Sequence, residues 1–290
     1  MADVTSTTAA TYVPTKWSVR TSVIYAAKIV IPPLLDHKWE PELVGGGDRV
    51  NIPQFTASAA TGATARSTFG TGATITFSAV TEAQTVLQVN TMAYRAYRIP
   101  VEISPQLYAN YERELLEDAG KACARYQDND CAANNTNGFD AFTAVGTDNQ
   151  DVNEDVILDV HTVLSNAEAD ADDRYGVISP ATYQSMCKIE ALRNSQWVAS
   201  TGSFKTGKGT GFIASAYNTD WYMSTNLESG TSGKKNFIGH REAIAIATQK
   251  KVTWVRATNI ADGGFQEVMA YITYGIKQVK SGFGRELDGK

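Results

Sequence analysis

The sequence predicts a mixed α+β chain in which helical and strand-rich stretches are segregated rather than strictly alternating. Three observations carry this. From Ser104-Pro105 onward, Tyr108, Tyr111, Leu115, Ala119, Ala122 and Tyr126 recur every three or four residues, the spacing of one stripe on a long helix. Near the end, Val268, Ala270, Ile272, Tyr274 and Ile276 alternate strictly, as in a strand of a sheet covered on one face. Between them, from Asp151 to Leu192, a helix, a short strand and a second helix follow closely, which points to a separate α/β body.

The elements follow in order. Residues 1–15 are Ala, Thr and Ser with almost no large apolar side chain, and read as an arm. Trp17, Val23, Ile24, Ala27 and Ile31 predict an amphipathic helix ended by Pro32-Pro33. Gly45-Gly46-Gly47-Asp48 predicts a turn, and residues 49–53 a short strand. Residues 56–74 are Ala, Thr, Gly and Ser, with Arg66 the only charge and Phe69 the only large side chain. Such a segment builds no core; flanked by strand-like sequence at 50–55, 75–77 and 85–97, it predicts an extended two-stranded arm. Ser104 and Pro105 provide a cap and first residue for the long helix, which ends at residues 134–138 and contains Gly120, a candidate bend. Asp151 with Glu154 reads as a capping box for a helix to about Ala169, with Val152, Val156, Val160, Val163 and Ala167 as its stripe. Tyr175 to Ile178 is a strand, Ser179-Pro180 caps a helix to about Leu192, and Ala243 to Ala247 and Val252 to Arg256 return to strands.

Composition is that of a globular protein of 290 residues, and the net charge of −5 leaves no overall basic field for holding nucleic acid by charge neutralisation. Cys123, Cys131 and Cys187 have no metal-ligand spacing and leave an odd thiol after any pairing, which fits a reducing compartment. The first 17 residues have neither a basic n-region nor an apolar h-region, so synthesis in the cytosol is expected. The longest apolar run, at Ile29-Val30-Ile31, stops at Pro32, so no membrane span is expected.

Residues that would carry catalysis are missing from the pattern. Residues 202–208 nearly form a phosphate-binding loop, but Gly209 stands where Ser or Thr would meet Mg²⁺, and no helix start follows. His37, His161 and His240 lack the spacing of a metal-binding helix. Glu168, Asp170, Asp172 and Asp173 lack the glycine and terminal Glu of a calcium loop, and read as a solvated acidic turn. No nucleophile elbow or paired thiol appears, and the expectation is a protein with no catalytic, cofactor or metal residues.

Six stretches, in order and covering nearly the whole chain, resemble the major capsid protein of tailed bacteriophages, the Hong Kong ninety-seven fold also seen in encapsulins. Residues 13–53 resemble the opening of that family, a Trp-containing helical arm followed by Gly47-Asp48 before a strand. Residues 56–74 fall where the family has its extended E-loop, and the Ser104-Pro105 helix where it has the long spine helix of the peripheral (P) domain. Residues 164–189, with Arg174-Tyr175 and Ser179-Pro180, resemble the axial (A) domain; 240–257 and 265–280, with Tyr274-Gly275, resemble the returning and closing P-domain strands.

The resemblance implies an arm at 1–45, an E-loop hairpin with flanking P-domain strands at 46–100, the spine helix at 101–145, the A domain at 146–245, and closing P-domain strands with the C-terminus at 246–290. It implies self-assembly as hexamers and pentamers into an icosahedral virion shell that encloses double-stranded DNA without sequence-specific binding and without a membrane. Further implied partners are a separate scaffolding protein, a portal protein and a decoration or cement protein. Trp17, Arg20, Arg66, Phe69, Glu112 and Arg113 are the candidate assembly contacts, Arg and aromatic side chains being enriched at interface hot spots. No Lys–Asn crosslink pair can be placed, so non-covalent stabilisation is expected. The alternatives are an encapsulin-like compartment and, from the Thr, Ala and Gly-rich strands alone, an extracellular binding module.

Overall fold

The computed structural model describes residues 29–55, 82–100, 111–193, 210–259 and 264–290. The arm through residue 28, the small-residue segment at 56–74 with its neighbour 75–77, the Ser104-Pro105 helix start and the glycine-rich stretch at 202–209 lie outside the described residues. In chain order the first elements are α1 (Glu40–Val44), β1 (Arg49–Phe55), β2 (Glu82–Gln88), β3 (Thr91–Pro100), α2 (Tyr111–Ala133), β4 (Ala144–Gly146) and α3 (Glu154–Asn166). There follow β5 (Arg174–Ile178), α4 (Pro180–Met186), α5 (Glu190–Arg193), β6 (Phe212–Ala216), β7 (Thr219–Met223), β8 (Lys234–His240), β9 (Ile244–Asn259), β10 (Phe265–Gln278) and β11 (Gly284–Gly289). The α+β class read from the sequence is the observed one.

The chain enters through a tight turn at Pro32–Leu34, with Ile31 and Leu35 fully buried. Gly46 (φ +131°) and Gly47 (φ +100°) form the predicted turn into β1, in conformations L side chains rarely adopt. β1 and β2 pair antiparallel as a two-stranded ribbon from Arg49↔Gln88 to Phe55↔Glu82. The Gly-, Ala- and Thr-rich residues therefore connect two paired strands, and Leu43, Ile52, Leu87, Ala245 and Ala247 pack the ribbon's root.

A three-stranded antiparallel sheet, in the order β3-β10-β9, carries α2 on one face. The predicted alternation in β10 is seen directly: Val268, Ala270, Ile272, Tyr274 and Ile276 are buried. Side chains stitch the helix to the strands along its length. Trp254 Nε1 donates to Leu116 O at 3.2 Å, Cys123 Sγ to Ala270 O at 3.3 Å, Gln127 Nε2 to Thr248 Oγ1 at 3.1 Å, and Tyr274 OH to Asp130 Oδ2 at 2.8 Å. The buried stripe of α2 is Leu116, Ala119, Cys123, Gln127 and Cys131, one position round from the predicted one. Ala119 belongs to both; Ala122 and Tyr126 face outward.

The second sheet has six strands in the order β4-β11-β8-β5-β7-β6. On one face Ile157, Val160 and Leu164 of α3 and Met186 of α4 pack against Trp221, Ile238 and Leu287. On the other, Phe237 stacks on Phe139 at 4.1 Å and joins the core that runs on to α2 and β10. Asn153, not Asp151, caps α3 by accepting from Val156 N, because Asp151 is taken by Ser185, Lys188 and Lys290. Of the predicted α3 stripe, Val152 and Val160 are buried and Val156 packs half-buried against the same core, which Ile157 and Leu164 complete. Ser179 caps α4 as expected, but that helix breaks after Met186 and resumes as α5. Residues 246–290 divide between the sheets, since β11 pairs with β8 and β4 rather than with β10.

Candidate assembly surface

β3 is an edge strand with two unlike faces. Ala93 and Ile99 point towards α2 and are buried, whereas Met92 and Tyr94 are 50% and 66% exposed on the opposite face. Register extends that face across the sheet: Tyr94 lies opposite Tyr271, which lies opposite Thr253, and Ala96 opposite Met269, which lies opposite Val255, itself 42% exposed. Lys250 sits 5.9 Å from the Tyr271 ring centre. Arg98 pairs with Glu267 at 2.7 Å and lies over the Phe265 ring. At the β3 edge, Met92, Tyr94, Arg95, Ala122 and Tyr126 border a groove of about 350 Å³. Large apolar and aromatic side chains held outward beside cations are the ingredients of a protein contact surface.

Charge is segregated on this sheet. Arg95, Arg98, Lys250, Lys251, Arg256 and Lys277 stand against one acid, Glu267, along its three strands, but they divide between the faces. Arg98 and Lys250 lie beside Glu267 and Tyr271 on the outward face, whereas Arg95 donates to Tyr97 and Arg256 lies opposite the buried Val268, on the α2 side.

Behind the surface, a buried carboxylate fixes the helix to both neighbours. Asp128 is fully buried; its Oδ1 accepts from Val30 N at 2.9 Å and Ile31 N at 2.8 Å, and its Oδ2 accepts from Asn226 Nδ2 at 2.6 Å. Three segments far apart in sequence meet at one side chain. Nothing in the local pattern marks it, since an Asp among other charged residues of a helix reads as solvated.

Of the six predicted contacts, Trp17, Arg20, Arg66 and Phe69 lie outside the described residues, and of Glu112 only the helical backbone is described. Arg113 is exposed on α2 and pairs with Glu117, one turn on, at 3.1 Å. The exposed Met92 and Tyr94 were not singled out from the sequence, and the outward Tyr126 was placed in the core stripe by its helical spacing.

The histidines are separate. His37 pairs with Glu40, and His240 Nδ1 accepts from Glu242 N. His161 is held down at about 4 by burial and by the nearby Arg174 charge, and so is neutral at pH 7. Arg174 is buried and donates to Asp170 O and Ala169 O, which ties the acidic turn to β5. Among the described residues, no group of His, Cys, Asp and Glu is placed to hold a metal ion, and no helix is long and apolar enough to cross a membrane.

No protein-family model matches the sequence, and no curated protein does. Solved structures do match over nearly the full length. One from Mycobacterium phage Che8 aligns with a TM-score of 0.72 at 16% identity, covering 95% of this chain and 97% of the other. The capsid of a native GTA particle aligns with a TM-score of 0.72 at 10% identity, covering 99% of each chain. The bacteriophage PhiM1 mature capsid aligns with a TM-score of 0.67 at 11% identity, covering 96% of this chain and 91% of that one. The ribbon, the helix-backed three-stranded sheet and the six-stranded body together make the phage capsid fold that the sequence resembles.

Proposed function

We propose that this chain is the major capsid protein of a tailed phage, a subunit that self-assembles into the icosahedral shell around double-stranded DNA. The observation that carries the reading is the end-to-end fold match to phage capsid structures, with no large part of either chain left over. In this reading α2 and the three-stranded sheet form the P domain, the six-stranded sheet with α3 and α4 forms the A domain, and β1 with β2 is the root of the E-loop. The exposed face at Met92, Tyr94 and Val255 is buried against a second copy, and Trp17, Arg20, Arg66, Phe69, Glu112 and Arg113 contribute further contacts. Scaffolding, portal and decoration proteins are partners by the same reading. The place of action is the virion.

Sedimentation of the purified chain, alone and with its separately expressed scaffold, tests this. Particles hundreds of times the 31.4 kDa subunit mass are expected under at least one condition. Monomers under both would contradict it. Shells that enclose a protein cargo and no DNA in their native source would favour the compartment alternative.

A further inference from the structure

Beyond α2, where the Phe139–Ala141 turn meets the C-terminal strand, three carboxylates converge on one lysine. Lys235 of β8 pairs with Asp140 of that turn, with Glu286 of β11 at 3.6 Å, and with Glu228 in the loop after β7 at 4.0 Å. The lysine side chain is 26% exposed and that of Glu286 only 4%. The backbone ties the same segments: Lys235 N donates to Glu228 O at 3.0 Å, and Glu286 N donates to Thr143 O at 3.3 Å. One ammonium does not neutralise three carboxylates, and a site withdrawn from water penalises the surplus charge. A proton held on one of the carboxylates relieves that surplus.

Glu286 is the group placed to keep it. Burial pushes its carboxyl up to about 8; its hydrogen bond with Asp140 and the charges of Asp140 and Asp288 act in the same direction, against the pull of Lys235. Glu228 is also raised, by burial and then by the Asp140 charge, while the hydrogen bond to Asp140 keeps Lys235 protonated. From the other side, β4 sets Ala144 and Gly146 opposite Glu286 and Asp288 and contributes no charge. Lys234 turns its ammonium away, to Leu227 O and Ser229 Oγ.

We propose that Asp140, Glu228, Lys235 and Glu286 form a proton-operated latch that fastens the C-terminal strand and the Phe139–Ala141 turn to the six-stranded sheet. With Glu286 protonated the latch is closed; its ionisation leaves three negative groups around one positive one, and the junction loosens. The sign follows from linkage. An unfolded glutamate ionises near 4.5, so between there and about 8 the folded state binds the extra proton and rising pH favours unfolding. Above about 8 the folded chain carries the open latch. The latch therefore sets how firmly the segment after α2 is held to the six-stranded body.

Amide hydrogen exchange of the full-length protein, corrected for the intrinsic pH dependence of exchange, tests the latch directly. As the ionised fraction of Glu286 climbs from about one tenth at pH 7 to about nine tenths at pH 9, corrected exchange in β11, β8 and residues 139–146 should rise roughly tenfold. Amides in α3 should not follow. Glu286→Gln, a neutral mimic of the protonated acid, should remain protected across the range. A flat wild-type profile from pH 6 to 9 overturns the proposal whether or not the variant folds. An unchanged rise in Glu286→Gln overturns it too, by assigning the titration to another group.

Discussion

Asp128 ties α2 to two distant segments, because three donors from residues 30, 31 and 226 depend on its two oxygens. Asp128→Ala strands the Val30 and Ile31 amides and the Asn226 side chain in a dry site, where each unsatisfied group costs about 1–3 kcal/mol. A loss of about 3 kcal/mol or more in urea unfolding is expected, with Asp128→Asn intermediate, since its amide keeps one acceptor oxygen. The thiols give a second residue-scale check. Burial raises Cys123, and raises Cys131 well above the usual thiol range with help from the Asp128 and Asp130 charges, while Cys187 is exposed. Only a thiolate attacks a disulfide reagent. Titration of the native protein should therefore show one fast thiol, and the denatured protein three; more than one fast thiol in the native state would contradict the packing of α2.

Within α2, Gly120 faces Val252 and Trp254 of β9. A Cβ there would sit 3.4 Å from Val252 Cγ1 and 3.6 Å from Trp254 Nε1, an ordinary contact. Gly120→Ala should therefore leave subunit stability unchanged or raise it by up to about 1 kcal/mol, from helix propensity. If the helix bends at Gly120 as a precursor shell expands, the variant should impair expansion while the subunit folds normally; normal maturation would remove that role. The same helix shows what the sequence discloses and what it withholds. Leu115 and Leu116 are both apolar and the alanines are neutral, so two adjacent stripes fit the spacing; the outward Tyr126 tipped the reading to the wrong one. An exposed aromatic side chain at helical spacing reads as core. β10 was legible because one face is wholly buried, and Ser179 because a cap requires only local geometry. β11 was not: it has one buried apolar side chain, Leu287, and exists as a strand because β8 and β4 pair with it from both sides. Asp151 misled for a related reason, since two lysines remote in sequence draw it from the cap.

Taken whole, the molecule is two sheets joined by a shared core, with a ribbon at its entry and a face of exposed apolar and aromatic side chains at Met92, Tyr94 and Val255. Such a face on a lone subunit is an aggregation hazard that burial against a second copy would remove. Replacing Met92 and Tyr94 together with Ser should change subunit stability by no more than about 0.5 kcal/mol, as for exposed positions generally, yet reduce shell yield severalfold. Equal yields from variant and wild type, measured by sedimentation, would place the contact elsewhere. The most direct measurement is cryo-electron microscopy of particles from bacteria that express the chain with its scaffold. The account predicts closed icosahedral shells in which the Met92–Tyr94 face is covered by a neighbouring subunit. Subunits that remain monomeric, or shells in which that face is open to solvent, would contradict it.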